Sequence, residues 1–126
     1  MKNVIIKETG RRGEDAACGF LIRAGHRIRE RNWRSGHLEV DIISETPDAI
    51  HFVEVKARTL PCQAPPEENV GPVKQKQISA AALGYMHRND CMGKEAFFDV
   101  VSVTFSASGT EIEYFPQAWI PMYPSY

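Results

Sequence analysis

The stretch LEVDIISETPDAIHFVEVKA, residues 38–57, decides the fold of this chain because it reads as two β-strands joined by a tight turn. Residues 38–44 mix polar with apolar positions, and residues 49–57 are dense in β-branched and aromatic side chains, as strands are. Thr46, Pro47 and Asp48 between them are residue types that favour turns. The pattern predicts two neighbouring strands.

Outward from this pair, hydrophobic periodicity predicts two helices and three further strands. Apolar residues recur every three or four positions in the helices, whereas the strands are short runs bounded by turn residues. The predicted elements are a helix over residues 8–24, a strand over 26–34, a helix over 73–89, and strands over 96–106 and 110–115. Residues 59–72 hold four prolines and one glycine without periodicity, which predicts a long loop. This order of elements predicts an α/β fold, a mixed β-sheet of about five strands flanked by helices.

Length and composition suit one folded unit. With 126 residues, 43% of them hydrophobic, the chain can bury one core but not two, so we predict a single domain over residues 1–126 with its core at about 8–115. No apolar run approaches the roughly 20 residues that span a bilayer, and the first seven residues do not read as a signal peptide. We therefore expect a cytoplasmic protein without a membrane partner.

The three cysteines predict neither a disulfide framework nor a zinc site. Cys18, Cys62 and Cys91 are far apart and form no CxxC pair. His87 and Cys91 lie four residues apart on or beside the second predicted helix, but two ligands without a second pair do not make a metal site. We interpret the cysteines as reduced residues without a chemical role.

Charge is distributed unevenly along the chain. The first 34 residues hold nine Lys or Arg against four acids, and the remainder holds six against twelve, so the two parts carry +5 and −6. A basic segment beside an acidic site is compatible with phosphate binding, but a pI near 6.4 is low for a strong nucleic-acid binder. Composition alone leaves the partner open.

Charged residues on the two central strands are spaced so that they can meet. Side chains two apart on a strand share a face, so Glu54 and Lys56 point the same way. Glu39 and Asp41 are related in the same manner. If the strands are adjacent, carboxylates from both and one ammonium converge on a single face of the sheet. This arrangement predicts a metal site with a neighbouring cation.

Hard cations such as Mg²⁺ or Mn²⁺ prefer oxygen ligands and commonly use one or two carboxylates. Asp41 and Glu54 suit that role, and the backbone carbonyl of Val55 is a candidate third ligand. Lys56 would orient an attacking water or stabilise charge that develops on a phosphate. The alternative is a solvated Glu–Lys pair, worth about 0–1 kcal/mol. The apolar residues around Glu54 favour the metal site, because buried charges are costly unless paired.

Other charged residues are candidates for supporting roles. Glu14 lies on the apolar stripe of the first predicted helix, where a carboxylate needs a partner. Lys74 precedes the stripe of the second helix and is placed to reach a substrate phosphate. Arg58 ends its strand near the site. Arginines that would either contact phosphates or form a solvated face are Arg11, Arg12, Arg27, Arg29, Arg31 and Arg34.

Several motifs in fixed order resemble a known family. They are TGRRGE at 9–14, RNWR at 31–34, EVDII at 39–43, FVEVKAR at 52–58, PEE at 66–68, Lys74, and FDVV at 98–101. In order and spacing they resemble the YraN-like family of uncharacterised proteins (UPF0102 type). That family is similar to archaeal Holliday junction resolvases and belongs to the restriction-endonuclease-like group with the PD-(D/E)xK motif. The resemblance covers roughly residues 9–105.

The resemblance implies a nuclease ancestry and specific roles. Asp41, Glu54 and Lys56 match the core motif, and Glu14 matches the catalytic carboxylate of the first helix. The implied activity is a Mg²⁺- or Mn²⁺-dependent endonuclease that hydrolyses phosphodiester bonds of DNA, with branched or structured DNA among its substrates. Branched DNA offers two strands to cut and would suit a homodimer. The alternative is a non-catalytic nucleic-acid-binding or scaffolding protein on a nuclease fold.

Overall fold

The computed structural model describes residues 2–61 and 70–120, with side chains from residue 8 onward. Within these residues the elements are α1 (Lys2–Arg23), β1 (Arg27–Ser35), β2 (Leu38–Thr46), β3 (Ala49–Thr59), α2 (Pro72–Arg88), β4 (Glu95–Ser106) and β5 (Gly109–Phe115). The strands form one sheet in the order β1-β2-β3-β4-β5. Strands β3 and β4 are parallel, and the other neighbours are antiparallel. The predicted mixed sheet of five strands is confirmed.

The two helices cover opposite faces of this sheet. Adjacent strand residues such as Phe52 and Val53 point to opposite faces, and each belongs to a different apolar cluster. Helix α1 packs Ala17, Cys18 and Leu21 against Ile42, Val53, Val101 and Val103. Helix α2 packs Ile78, Ala82 and Tyr85 against Phe52, Phe98 and Val100. Neither helix combines the length and the hydropathy needed to cross a membrane, as far as the described residues extend.

Element boundaries lie within two residues of the predicted ones, except at the start of α1. Helix α1 begins at Lys2 rather than at residue 8, because its backbone hydrogen bonds continue beyond the apolar stripe on which the prediction relied. It ends at Arg23, one residue before the predicted end. Gly25 follows with a φ of 96° and lets the His26 N–H donate to the Leu21 carbonyl at 2.9 Å. Strands β2 and β3 each run two residues further than predicted.

The structure places two of the three cysteines and His87, but not the centre of the predicted loop. Residues 62–69, which include Cys62 and the PEE motif, lie outside the described residues. Cys18 and Cys91 are buried and free. Cys91 directs its Sγ to the Asn89 carbonyl at 3.2 Å, while His87 is exposed on the surface. These two thiols therefore pack within the fold.

A buried polar group joins three strands on the α1 side of the sheet. Asp99 of β4 is 1% exposed, and its Oδ2 lies 2.7 Å from Nδ1 of His51 on β3. The Tyr114 hydroxyl on β5 donates to the same oxygen, and the Gln117 N–H donates to Oδ1 at 2.9 Å. Because these partners satisfy both oxygens, Asp99 is a structural residue that fixes the strands relative to one another.

Helix α1 makes its closest approach to the sheet at Gly13. A Cβ added to Gly13 would lie 2.5 Å from the Cβ of Ala57 on β3, which is far inside van der Waals contact. The absence of a side chain therefore sets the distance between α1 and β3. Glu14 is the next residue, so this contact also determines how near the Glu14 carboxylate comes to the strands.

Substitution of Gly13 tests this close approach. Gly13→Ala should destabilise the protein by about 1–3 kcal/mol, because the new methyl group must push α1 away from β3. Gly10→Ala on the same helix is the matched control, since a Cβ there meets nothing within 4 Å and alanine favours a helix by about 0.5–1 kcal/mol. Urea unfolding followed by circular dichroism measures both. Equal shifts in the two variants would contradict the proposed contact.

Candidate metal centre

The candidate site lies where β2 and β3 separate. The backbone ladder between these strands runs from the Thr46–Ala49 pair to the Ile42–Val53 pair and ends there. Strand β2 continues beside β1 as far as Leu38, and β3 continues beside β4 as far as Thr59. An opening is thus left between the two halves of the sheet, and the charged residues of both strands border it.

Asp41 bridges this opening with its side chain. Its Oδ2 accepts a hydrogen bond of 2.8 Å from the Val55 N–H, which has no backbone partner on β2 beyond the end of the ladder. The N–H and C=O of one residue point to the same edge of an extended strand, so the Val55 carbonyl also points toward the Asp41 edge. This direction suits the predicted ligand role of the carbonyl.

Three carboxylates cluster at the opening. Glu14 from α1 and Glu39 and Asp41 from β2 each place a carboxylate oxygen within 4.8 Å of the other two. All three side chains are half-buried. Arg31 approaches Glu14 at 3.8 Å, although its shorter contact of 2.8 Å is with Asp15. The structure therefore brings the predicted Glu14 to Asp41 and adds Glu39 to them.

Glu54 approaches Asp41 from β3 and is the most buried acid of the site. The residue is 4% exposed, and its Oε2 accepts a hydrogen bond of 2.9 Å from the Lys74 ammonium of α2. Its Oε1 has no hydrogen-bond partner among the described residues. A buried carboxylate oxygen without a partner is costly, and a cation is one group that would satisfy it.

Burial and mutual repulsion raise the pKa of three of these carboxyls. Burial, followed by repulsion from Asp41, raises the pKa of Glu54 to about 7. Burial also raises the pKa of Asp41, against the hydrogen bond from Val55. The pKa of Glu14 is raised by burial and then by Asp41. Burial is the largest cause in each case, so the raised pKa values reflect the cost of holding these charges away from water.

The helices add charged residues to the site from both faces of the sheet, which the sequence analysis did not predict. Glu14 reaches the site from α1 and Lys74 reaches it from α2, and these helices cover opposite faces. The site instead lies at the open end between the two faces, because β2 leaves β3 there. The alternation within a strand does not reveal where two strands part.

Lys56 and Lys74 provide the two ammonium groups near Glu54. Lys56 is half-buried two residues along β3 from Glu54 and lowers the pKa of that carboxyl. No hydrogen bond or ion pair joins its ammonium to another residue in the described part of the chain. Lys74, by contrast, is paired with Glu54 rather than free. Of the two, Lys56 has the ammonium that is available to a substrate.

The predicted arginines are distributed around the site rather than within it. Arg34 pairs with Glu39 at 2.9 Å, which places it beside the carboxylates. Arg11 is exposed on α1, and the Arg12 guanidinium lies 4.3 Å from the centre of the Phe105 ring. Arg58 donates to the Thr104 hydroxyl at 3.2 Å. Arg12 and Arg58 therefore contact β4, not the carboxylate cluster.

The arginines of β1 are largely neutralised by acids. Arg27 and Arg29 both pair with Glu45, at 2.7 and 3.1 Å. Arg31 pairs with Asp15, and Arg34 pairs with Glu39. These contacts offset the positive charge of the arginine-rich segment locally.

The residues at the opening fit a hard divalent cation. Every candidate donor is an oxygen: the carboxylates of Asp41 and Glu54, the neighbouring Glu14 and Glu39, and the Val55 carbonyl. The unpartnered Oε1 of Glu54 is the observation that favours a cation most directly. Nitrogen or sulfur ligands, which zinc prefers, are not part of the described cluster. Mg²⁺ or Mn²⁺ is thus the kind of ion that this donor set suits.

Sequence reasoning missed the contributions of Glu39 and Asn32. The alternation of Glu39 with Asp41 was visible, but only the structure places Glu39 beside Glu14. Asn32 has a φ of 52° within β1, a conformation that asparagine tolerates better than most residues. Its side-chain amide lies beside Glu14 and lowers the pKa of that carboxyl. No pattern in the sequence indicates this contact.

A cleft of about 1130 Å³ lies beside the site. The turn between β1 and β2 forms one wall, and the first half of α2 forms the other. Glu39 and Lys74 line it, so the cleft opens onto the carboxylates. Its other lining residues include Leu38, Val73 and Gln77.

Comparison with known sequences identifies related proteins. The sequence model of the uncharacterised protein family UPF0102 matches residues 13–103. A UPF0102 protein of Geobacter metallireducens is 41% identical over 113 residues, which cover 90% of this chain and 93% of that protein. One from Anaeromyxobacter dehalogenans is 39% identical over 110 residues, covering 87% and 82%. One from Oleidesulfovibrio alaskensis is 42% identical over 104 residues, covering 82% and 52%, so this chain spans about half its length.

Replacement of Glu54 tests how much the burial of its ionised carboxyl lowers the stability of the protein. Because the folded-state pKa of Glu54 is about 7 against an ordinary value of 4.5, the native state holds a proton that the unfolded chain releases between these values. Stability therefore falls as pH rises through this window, and the full penalty is present above pH 7. Glu54→Gln should be more stable than wild type at pH 8 by about 3 kcal/mol, with little difference at pH 4.5.

The control for this measurement is Glu113→Gln, which changes an exposed glutamate on β5. Urea unfolding at the two pH values gives the stability of each protein. A gain for Glu54→Gln that is the same at both pH values would contradict the raised pKa of Glu54.

Proposed function

This chain belongs to the uncharacterised protein family UPF0102, and we propose that it is a divalent-metal-dependent endonuclease that hydrolyses DNA phosphodiester bonds. Branched or structured DNA is the substrate class that the family resemblance favours. One observation supports the activity most strongly: Glu54, buried and with one oxygen unpartnered, lies beside Asp41 and two residues from the unpaired ammonium of Lys56. Carboxylates that can bind a cation, next to a free ammonium, suit metal-assisted phosphodiester hydrolysis.

The residues divide into those that hold the ion and those that act on the substrate. Asp41, Glu54 and the Val55 carbonyl would bind Mg²⁺ or Mn²⁺, with Glu14 as a further catalytic carboxylate. When bound, such an ion lowers the pKa of water and polarises the phosphate. Lys56 would position the attacking water and stabilise negative charge at the phosphorus oxygens. The opening between β2 and β3 gives the phosphate access to these groups.

Contacts to the nucleic acid would come from the cleft and from arginines at its margins. Lys74 lines the cleft, and its side chain is 41% exposed. Its ammonium would therefore be accessible to a phosphate once it leaves Glu54. Arg34, Arg11, Arg12 and Arg58 are the other candidates for phosphate contact. A pair of chains acting on the two strands of a branched substrate would suit these roles.

The competing function is a nucleic-acid-binding or scaffolding protein that retains the fold without turnover. It would depend on arginines as a phosphate surface, and those of β1 already pair with acids. Ion pairing reduces the free positive charge that such a surface needs. We therefore favour the nuclease, and metal binding without cleavage would favour the scaffold.

Asp41→Asn tests the proposed metal centre and activity together. The amide keeps an oxygen for the Val55 N–H but loses the charge, so Mn²⁺ affinity should fall at least about tenfold and cleavage should disappear. Asp48→Asn, in the exposed turn after β2, is the matched control and should retain both. Calorimetric titration with Mn²⁺ and cleavage of linear and four-way-junction DNA measure the two effects. Undiminished cleavage by Asp41→Asn would contradict the assignment.

Lys74→Met tests whether Lys74 competes with the ion for Glu54. Removal of the ammonium should tighten Mn²⁺ binding several-fold, because Glu54 then has no paired cation, whereas cleavage should fall because a phosphate contact is lost. Lys76→Met, an exposed change on the same helix, should alter neither. The same titration and cleavage assays apply. Weaker Mn²⁺ binding in Lys74→Met would show that Lys74 supports the ion rather than competes with it.

A further inference from the structure

The cleft beside the metal centre has a surface that metal binding does not explain. Its volume is about 1130 Å³, and pockets for small ligands occupy about 300–1,000 Å³, so the cleft has room for a nucleotide. Glu39 and Lys74 lie where it meets the carboxylates, because Glu39 contacts the cluster and Lys74 pairs with Glu54. Away from these two residues, apolar side chains contribute to both walls.

One wall is a face of α2 built from small and apolar residues. Val73, Gln77, Ala80 and Ala81 line it, and their spacing of three to four positions puts their side chains on one side of the helix. Val73 is 71% exposed, so its apolar surface is available to a ligand. The two alanines leave the space beside it open. The Gln77 amide can both donate and accept hydrogen bonds.

The opposite wall is the turn between β1 and β2. Ser35, His37 and Leu38 line this side of the cleft. Leu38 is half-buried and offers apolar surface, whereas Ser35 and His37 carry hydrogen-bonding groups. Two walls with apolar surface and a few polar groups suit a nucleobase, because its faces contact flat or apolar side chains and its edges form hydrogen bonds.

A base can enter the cleft only if it is unpaired. In a duplex the faces of each base are stacked on its neighbours, whereas an unpaired nucleotide can turn outward into a protein pocket. A peptide or a second copy of this chain would also find apolar walls here. The Lys74 ammonium beside the cleft, on a side chain that is 41% exposed, favours a ligand with a phosphate, and so does the metal centre next to it.

We propose that this cleft binds the base of an unpaired nucleotide next to the phosphodiester that the metal centre hydrolyses. The inference rests on the proposed function and narrows its substrate class to DNA with an unpaired nucleotide at the cleavage position. Leu38 and Val73 contact the faces of the base, and Gln77 contacts its edge. Lys74 pairs with the phosphate of the same nucleotide once it leaves Glu54.

Binding of three DNA duplexes in EDTA tests the cleft without relying on cleavage. The first is fully paired, and the second carries one additional unpaired thymidine. The third carries an abasic residue at that position, which keeps the flexible backbone but has no base. Fluorescence anisotropy should show that wild type binds the second at least about tenfold more tightly than the third. Equal affinities for the second and third duplexes would overturn the inference.

Two variants of α2 locate this preference in the cleft. Ala80→Glu puts a carboxylate into the wall, and His87→Glu adds the same charge to the helix outside the cleft; both positions are exposed. The preference for the base over the abasic residue should disappear in Ala80→Glu, because the base would have to bury a charge. It should persist in His87→Glu. Circular dichroism confirms folding, and an intact preference in folded Ala80→Glu would overturn the inference.

Val73→Ser provides a second test that adds no charge. It removes apolar surface from an exposed residue, so the preference for the base should fall about threefold. An unchanged preference in this variant would overturn the contact to the base. Sedimentation of wild type and Ala80→Glu tests the other occupant. A dimer that only wild type forms, with equal binding of the second and third duplexes, would assign the cleft to a second copy and overturn the inference.

The outcomes separate this inference from the proposed function. Cleavage in Mg²⁺ or Mn²⁺ that requires Asp41, without a preference for the base, would overturn the base-binding cleft and leave the nuclease intact. A preference for the base that Ala80→Glu removes, without cleavage of any DNA tested, would support the base-binding cleft and count against the nuclease.

Discussion

The hydrogen bond from the Val55 N–H to the Asp41 carboxylate, 2.8 Å long, stands where the backbone ladder between β2 and β3 has ended. A side chain thus takes over the pairing that a neighbouring strand would otherwise provide. The bond leaves β2 free to follow β1 while β3 continues with β4, and it holds Asp41 at the resulting opening. Carboxylate oxygens of Glu14 and Glu39 lie within 4.8 Å of one on Asp41, and repulsion from Asp41 raises the pKa of Glu54.

The residues around the opening form a well-packed scaffold that holds the carboxylates close to apolar side chains. Two apolar clusters, one under each helix, keep the sheet rigid on both faces. Gly13 allows α1 to approach β3, and Asp99 joins β3 to β4 and β5 through satisfied polar contacts. The carboxylates at the opening are the exception, because Glu54 retains a buried oxygen without a partner. Burial of this oxygen without a partner lowers the stability of the fold, and the proposed cation would satisfy it.

The lysines illustrate how the same residue type can take different roles. Lys74 neutralises part of the charge on Glu54 as long as no other cation does so, whereas Lys56 has no partner in the described part of the chain. An ion at Asp41 and Glu54 would release Lys74 toward the cleft. Metal binding and phosphate binding would then be coupled through one side chain, since Lys74 cannot pair with both groups at once.

The sequence by itself determined the α/β class, the five strands, and the alternation that puts Glu54 with Lys56 and Glu39 with Asp41. These follow from local rules, because the period of a strand or helix depends only on neighbouring residues. It did not reveal that the acids meet between the faces of the sheet, that Glu39 faces Glu14, or that the β1 arginines are paired. Those relations depend on where β2 leaves β3 and on how closely α1 packs at Gly13. Both are decided by contacts between residues far apart in the chain, which only the tertiary structure brings together.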